Sequence, residues 1–244
     1  MTQLDHTHDA QARSWLQAAN QPGADFPIQN LPFGVIRRRG STESFRGGVA
    51  IGDQVIDMAA LAAGPALQAQ PALARQAAQA CTQPVLNDFF ALGPEAWRAL
   101  RHALFDILKQ GASQDVTEAV RSALIPQAQI EHAVPARIGD YTDFYTSYFH
   151  ADNFGRIMRE VPTTEEVVSP NFHWIPLAYH GRASSIGVSG QKVRRPVGQS
   201  RMSGTGTPRF GPCEWMDYEM ELGFYVGTGN ELGTSVPLSR AESH

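Results

Sequence analysis

Asp140-Tyr-Thr-Asp-Phe-Tyr-Thr-Ser-Tyr-Phe-His150 gathers two carboxylates, three phenols, further aromatic bulk and an imidazole into eleven residues. Apolar bodies carrying a few polar heads are the makings of a pocket wall. His150 suits a general base near neutral pH better than any other side-chain type, and a packed or hydrogen-bonded ring is the alternative. For Asp143 three roles stay open: metal ligand, turn-forming aspartate or salt-bridge partner.

A second group of acids lies on Met216-Asp-Tyr-Glu-Met-Glu-Leu-Gly-Phe-Tyr-Val226. The alternation predicts a strand with Tyr218, Met220, Leu222, Phe224 and Val226 on one face. Asp217, Glu219 and Glu221 fall on the other, where like charges repel unless something positive lies between them. A solvated outer face accounts for this pattern. So does a divalent cation held by Glu219 and Glu221, in which case carboxylate-only ligation points to Mg²⁺ or Ca²⁺, not zinc.

Leu177-Ala-Tyr-His-Gly-Arg-Ala-Ser-Ser185 is the third unusual stretch. Tyr179, His180 and Arg182 surround Gly181, whose lack of a Cβ permits an awkward backbone angle, and alone the stretch reads as a turn between strands. Arg159 is a surface arginine unless it faces a pocket, where it would clamp an anion. The chain has no GxGxxG after a strand, no Walker loop, no HExxH and no GxSxG. Cys81 lies in an alanine-rich helical section away from any candidate base, which argues against a cysteine nucleophile.

The elements that must position these groups read as follows. Residues 1–25 show little periodic hydrophobicity and are expected to form a loose lead-in. Phe33-Gly-Val-Ile36 and Gly48–Met58 read as short strands, the latter folded at Gly52-Asp53 into a hairpin. Residues 59–127 are helical in character. The clearest helix starts at Pro94, with Trp97, Leu100, Leu104 and Leu108 at helical spacing, Glu95, Arg98, Asp106 and Lys109 on the exposed side, and Gly111 as C-cap. Pro135, Gly139 and Gly155 bracket the aromatic cluster, so it should begin extended and end in a turn or short helix. Beyond about 130 the chain turns rich in Gly, Ser, Thr, Pro and aromatics. That shift predicts a small β domain with appended helices, then a second β-dominated domain.

Composition bounds the function. The 244 residues suffice for one large or two modest domains, and 42% hydrophobic with 18% charged residues is ordinary for a globular protein. A net charge of −4 argues against a nucleic-acid partner. The two cysteines, Cys81 and Cys213, imply no disulfide framework or zinc site. With no basic-then-apolar leader and no apolar run of membrane length, the expectation is a cytoplasmic chain with no membrane partner.

Taken together, several segments resemble the fumarylacetoacetase family. They are Asp25-Phe-Pro-Ile-Gln-Asn-Leu-Pro-Phe-Gly-Val35, Ile138-Gly-Asp-Tyr-Thr-Asp-Phe-Tyr145 with His150, Tyr179-His-Gly-Arg-Ala-Ser-Ser185, Arg194-Arg-Pro196 and Asp217-Tyr-Glu-Met-Glu221. The likeness runs from about residue 14 to the end. It implies a mainly β fold with some α: a lead-in at 1–25, an SH3-like β-barrel domain with appended helices at 26–130, and at 131–244 the first part of a mixed β-sandwich roll catalytic domain. It implies Ca²⁺ or Mg²⁺ on Asp143, Glu219 and Glu221, His150 as the base that activates water, and Tyr145, Arg159 and Tyr179 as substrate-binding residues. Tyr179 is expected in a loop near the same pocket.

The implied reaction is hydrolysis of the carbon–carbon bond of 4-fumarylacetoacetate to fumarate and acetoacetate, in an enzyme usually assembled as a homodimer. A sister hydrolase of another acylpyruvate or β-diketone, and a non-catalytic binding or assembly chain, are the alternatives. The resemblance also implies that further site residues (an aspartate, a lysine, an arginine and a glutamine among them) lie beyond His244, so this polypeptide alone is expected to be inactive.

Overall fold

The β-branched Val35 and Ile36 beside Phe33 favour the first strand, β1 (Phe33–Arg38), followed by β2 (Arg46–Ile51) and β3 (Gln54–Asp57). The computed structural model describes residues 4–159, 167–201 and 206–244. The Gly52-Asp53 turn joins β2 to β3 as the sequence predicts, with Ile51 opposite Gln54 and Gly52 at φ +57°. A side chain at Gly52 would also meet the Ala19 amide nitrogen at 2.7 Å. With β4 (Leu124–Pro126) and β5 (Ile130–Ala133) the strands form one antiparallel sheet in the order β4-β3-β2-β1-β5, curled into a half-barrel.

Period-two alternation gives the sheet two buried faces. Val35, Val49, Ile51 and Ile56 join the main core, while Ile36, Val55, Ile125 and Ile130 form a smaller cluster. Between β3 and β4 run six helices: α1 (Met58–Ala63), α2 (Pro65–Gln68), α3 (Ala72–Ala80), α4 (Asn87–Ala91), α5 (Pro94–Leu108) and α6 (Gln114–Arg121). They make this part of the fold mixed α/β. Helix α3 buries Ala74, Ala77 and Ala78 and packs on α5, which buries Leu100, Leu104 and Leu108 as its spacing predicts. Helix α5 ends at Leu108 with Lys109 as C-cap, and Gly111 takes its positive φ two residues further on.

An ion pair ties sheet to helix. Arg46 Nε and Nη2 donate to Asp57 Oδ2 at 3.0 and 2.6 Å, and both side chains are buried. Asp57 Oδ1 meanwhile caps α1, accepting from the Ala59 and Ala60 amides at 3.0 and 3.3 Å. Gly47 is held just as closely. Its N–H donates to the Cys81 carbonyl at 2.7 Å, and a Cβ there would strike that same oxygen.

Residues 4–25 are not loose. Ser14 Oγ donates to Leu108 O at 2.8 Å and Trp15 Nε1 to Ile107 O at 2.9 Å, so this segment satisfies carbonyls that the last turn of α5 leaves without helical partners. Thr7 and Ser14 are buried. Polar capping leaves no hydrophobic periodicity, which is why the sequence did not announce it.

The chain divides into two compact units, Met1–Ala136 with Gly187–His244, and Arg137–Ile186. The first runs past the boundary expected near 130 because β5 pairs with β1 and the Leu86 amide donates to Pro135 O at 2.7 Å. The second contains β6 (Thr142–Phe144), paired antiparallel with β7 (Ala178–His180), and α7 (Tyr148–Arg159). In the first unit β8 (Val197–Ser200) and β9 (Arg209–Pro212) form a separate antiparallel pair.

The strand predicted at Met216–Val226 is not formed. Tyr218, Met220, Leu222 and Phe224 are 89, 94, 87 and 86% exposed, and the segment pairs with no strand among the described residues. Alternation assigns faces, but a strand exists only where a ladder satisfies its backbone. Among the described residues no helix is long and apolar enough to cross a membrane.

Candidate functional site

In the Arg137–Ile186 unit the pairing of β6 with β7 sets Asp143 directly opposite Tyr179. The Tyr179 hydroxyl donates to Asp143 Oδ2 at 2.7 Å. A carboxylate offers about four lone-pair sites, so this bond does not exhaust Asp143 as a ligand. Asp143 and Tyr145 are half-buried, whereas Thr142 and Phe144 between and beside them are exposed, as alternation along an extended segment requires. Tyr145 continues the pairing through its amide, which donates to Leu177 O at 2.9 Å.

Helix α7 presents the base candidate. The Ser147 hydroxyl accepts from the His150 amide at 3.3 Å, and the His150 ring meets Tyr145 edge-on with centroids 5.4 Å apart. Tyr145 in turn packs on a small cluster of Ala151, Val167 and Val168. The expected extended start and helical end of the aromatic segment are therefore both present. Arg159 closes α7, and its Nη1 donates to Val167 O at 3.2 Å. The structure thus pairs Asp143 with Tyr179 and Tyr145 with His150 within one compact unit. Arg159 stands about two and a half turns along the helix from His150.

Gly181 is required for close approach, not for an unusual backbone angle. Its N–H donates to Tyr141 O at 3.0 Å, and a Cβ would run into the Tyr141 ring. His180 Nε2 pairs with Asp140 Oδ1 at 3.0 Å on the exposed edge.

Glu219 and Glu221 belong to the other unit, on the exposed Met216–Val226 segment. The expected ligand set of Asp143, Glu219 and Glu221 is thus divided between the two units. Its three residues offer oxygen alone, the donor type that suits Mg²⁺ or Ca²⁺.

Two features of the first unit were not read from the sequence. One is a cavity of about 550 Å³ whose lining includes Phe33, Phe89, Phe90, Trp97, Arg98 and Arg101, where Tyr225 stacks on Phe90 with centroids 5.1 Å apart. It contains none of the nominated site residues. The other is a convergence of Asp5, His6 and His102. Asp5 and His6 are adjacent in the sequence, but His102 lies too far along the chain to be connected with them.

Comparison with known proteins follows the motif segments. The family described as "Fumarylacetoacetase N-terminal" matches residues 29–135. Fumarylacetoacetase of Homo sapiens is 43% identical over 226 residues, covering 91% of this chain and 51% of that protein. The Oryza sativa subsp. japonica fumarylacetoacetase is 42% identical over 241 residues, covering 95% and 53%. Fumarylacetoacetase fahA of Aspergillus fumigatus is 34% identical over 240 residues, covering 95% and 54%. The chain spans about half the length of the curated relatives it matches. The resemblance read from the motif segments is borne out: the chain carries a fumarylacetoacetase N-terminal region.

Proposed function

We propose that the chain contributes the N-terminal region of a hydrolase that splits the carbon–carbon bond of 4-fumarylacetoacetate into fumarate and acetoacetate, the last step of tyrosine and phenylalanine breakdown. The observation that carries this reading is identity of about 40% with fumarylacetoacetases over some nine-tenths of the chain, a span that includes every nominated site residue. In this reading the sheet of β1–β5 is an SH3-like barrel domain. Residues 131–244 are the first part of a mixed β-sandwich roll, whose ladder partners would convert Met216–Val226 into the strand its alternation specifies. The enzyme is a cytoplasmic homodimer.

The roles follow from the chemistry of the side chains. Asp143, Glu219 and Glu221 hold Ca²⁺ or Mg²⁺, and the bound cation supplies a Lewis acid for charge developing on a β-diketone oxygen. Tyr179, already bonded to Asp143, orients that carboxylate, as partners of metal ligands do. His150 takes the proton of the attacking water, its ring held against Tyr145. Tyr145 and Arg159 bind the substrate, the guanidinium engaging a carboxylate as arginine does in fork-shaped pairs.

The test joins this chain to the remaining length of a curated relative and measures fumarate and acetoacetate released from fumarylacetoacetate in Mg²⁺ or Ca²⁺. Turnover is expected, with His150→Ala lowering kcat by about 10²–10⁴. Glu219→Gln and Glu221→Gln should each raise the metal concentration needed for half-maximal rate. The 244-residue polypeptide on its own should release neither product. A folded, metal-loaded fusion whose rate is indifferent to His150 would overturn the assignment.

A further inference from the structure

Asp5, His6 and His102 lie in the first unit, and the hydrolysis proposed above makes no use of them. One ligand atom from each falls within 4.8 Å of the others. Their placement is built, not incidental. Thr7 is fully buried, and Arg101 Nε donates to its hydroxyl at 2.8 Å while Arg101 Nη2 reaches the Thr7 carbonyl at 3.3 Å. This pins the short 3₁₀ turn His6–His8 to helix α5, the element that carries His102. Asp5 caps that turn, and its Oδ1 accepts from the Thr7 amide at 2.9 Å and from the Thr7 hydroxyl at 2.7 Å. One carboxylate oxygen is therefore fixed by the turn, and the other, Oδ2, is presented to His102 Nε2 at 2.7 Å. The His6 ring stands edge-on to His102 with centroids 4.7 Å apart and is braced from behind by Phe105 at 5.5 Å.

We propose that Asp5, His6 and His102 form a binding site for a divalent transition cation of the zinc class. Two imidazoles and a carboxylate favour zinc, cobalt(II) or nickel(II) over Mg²⁺ and Ca²⁺, which take oxygen ligands. Outer hydrogen bonds that orient a ligating group are the usual companions of such sites, and here the Arg101–Thr7–Asp5 relay supplies them. The fit needs small adjustments. Zinc bonds of about 2.0–2.1 Å set neighbouring tetrahedral ligand atoms roughly 3.3 Å apart. The Asp5–His102 contact therefore opens slightly, and the exposed His6 ring swings inward, leaving water in the remaining position.

The test is uptake of Zn²⁺ by the tag-free 244-residue chain in calorimetry, with Co²⁺ absorption reporting coordination number. It reads metal binding and not hydrolysis, so its outcome is independent of the proposed activity. One ion per chain is expected, with a tetrahedral Co²⁺ spectrum and a raised melting temperature in zinc. His6→Ala and His102→Gln should each weaken binding by at least about tenfold. His102→Gln keeps a donor within reach of Asp5, and His6 is exposed, so the apo variants should match the parent in circular dichroism. If His102→Gln fails to fold, His6→Ala alone decides. No uptake by the folded chain, or uptake undiminished in the folded variants, would overturn the site.

Discussion

The body formed by Met1–Ala136 leaves Val49, Ile51, Ile56, Met58, Leu100 and Leu104 with no exposed surface, whereas Arg137–Ile186 buries Ala151, Val167 and Val168 among its described residues, at 7–8% exposure. The second region nonetheless holds Asp143, Tyr145, His150, Arg159 and Tyr179. Aromatic rings that would serve as core in the first region are left exposed in the second, where Phe144, Phe149 and Phe154 are 53, 79 and 48% exposed. The well-buried core therefore lies in one stretch of sequence, and five of the seven proposed site residues lie in another. Regions with few buried apolar contacts open at lower free energy than the global unfolding of a protein, and functional segments are drawn from that end.

Removing one member of the buried ion pair should break the first region most severely. Arg46→Met leaves Asp57 in a site where the side chain is 7% exposed and its charge has lost its partner. Stripping a buried charge of its counterion costs about 3–5 kcal/mol. The corresponding change in the second region, Arg156→Met, removes an i,i+4 pair with Asp152 on the surface of α7 and should leave the midpoint of the main unfolding transition in place. Urea unfolding followed by circular dichroism measures both. Equal shifts in the two variants would contradict the division between the regions.

Truncation in each core sharpens the same contrast. Leu100→Ala opens a cavity in a site with no exposed surface and should cost about 2–5 kcal/mol. Val168→Ala lies in the small cluster beneath Tyr145. Its expected effect is local: faster hydrogen exchange of the α7 amides with little change in exchange across β1 and β2. If Val168→Ala accelerates exchange equally in the sheet, the second region is part of the same cooperative unit as the first.

These contrasts explain what could be read from the sequence. The helix from Pro94 and the hairpin at Gly52-Asp53 are local: helical spacing of apolar residues and a positive-φ glycine act through neighbours a few positions away. The same holds for the extended start and helical end of Asp140–His150. The anchoring of Ser14 and Trp15 to the last carbonyls of α5 was not legible, because it rests on single hydrogen bonds between residues more than ninety positions apart. Met216–Val226 failed for a related reason, since its alternation is local but its ladder is not. For the site, residue types drew attention to Asp143 and His150, and the family resemblance added Tyr145 and Tyr179. The bond from Tyr179 to Asp143 depended on the register of β6 and β7, which no spacing within either segment specifies.

Acid should act on the periphery of the ion-pair network of the first region, and this is the smallest of the expected effects. Glu43 accepts from Arg46 Nη1 at 2.9 Å and from Arg38 Nη1 at 2.8 Å. The Arg46 hydrogen bond is the main reason its carboxyl falls from 4.5 to about 2; burial opposes the shift and Arg38 adds to it. A carboxylate whose folded pKa is depressed contributes stability that is complete above its unfolded value and disappears as pH falls through the folded one. The difference in urea midpoint between the parent chain and Glu43→Gln should therefore be constant near neutrality and shrink between about 4.5 and 2. Because the carboxylate is at the surface, the difference should also diminish with added salt. A gap that persists unchanged into acid would mean that Glu43 supports Arg46 through shape, not charge. The Arg46–Asp57 pair would then hold sheet to helix without help from the acid outside it.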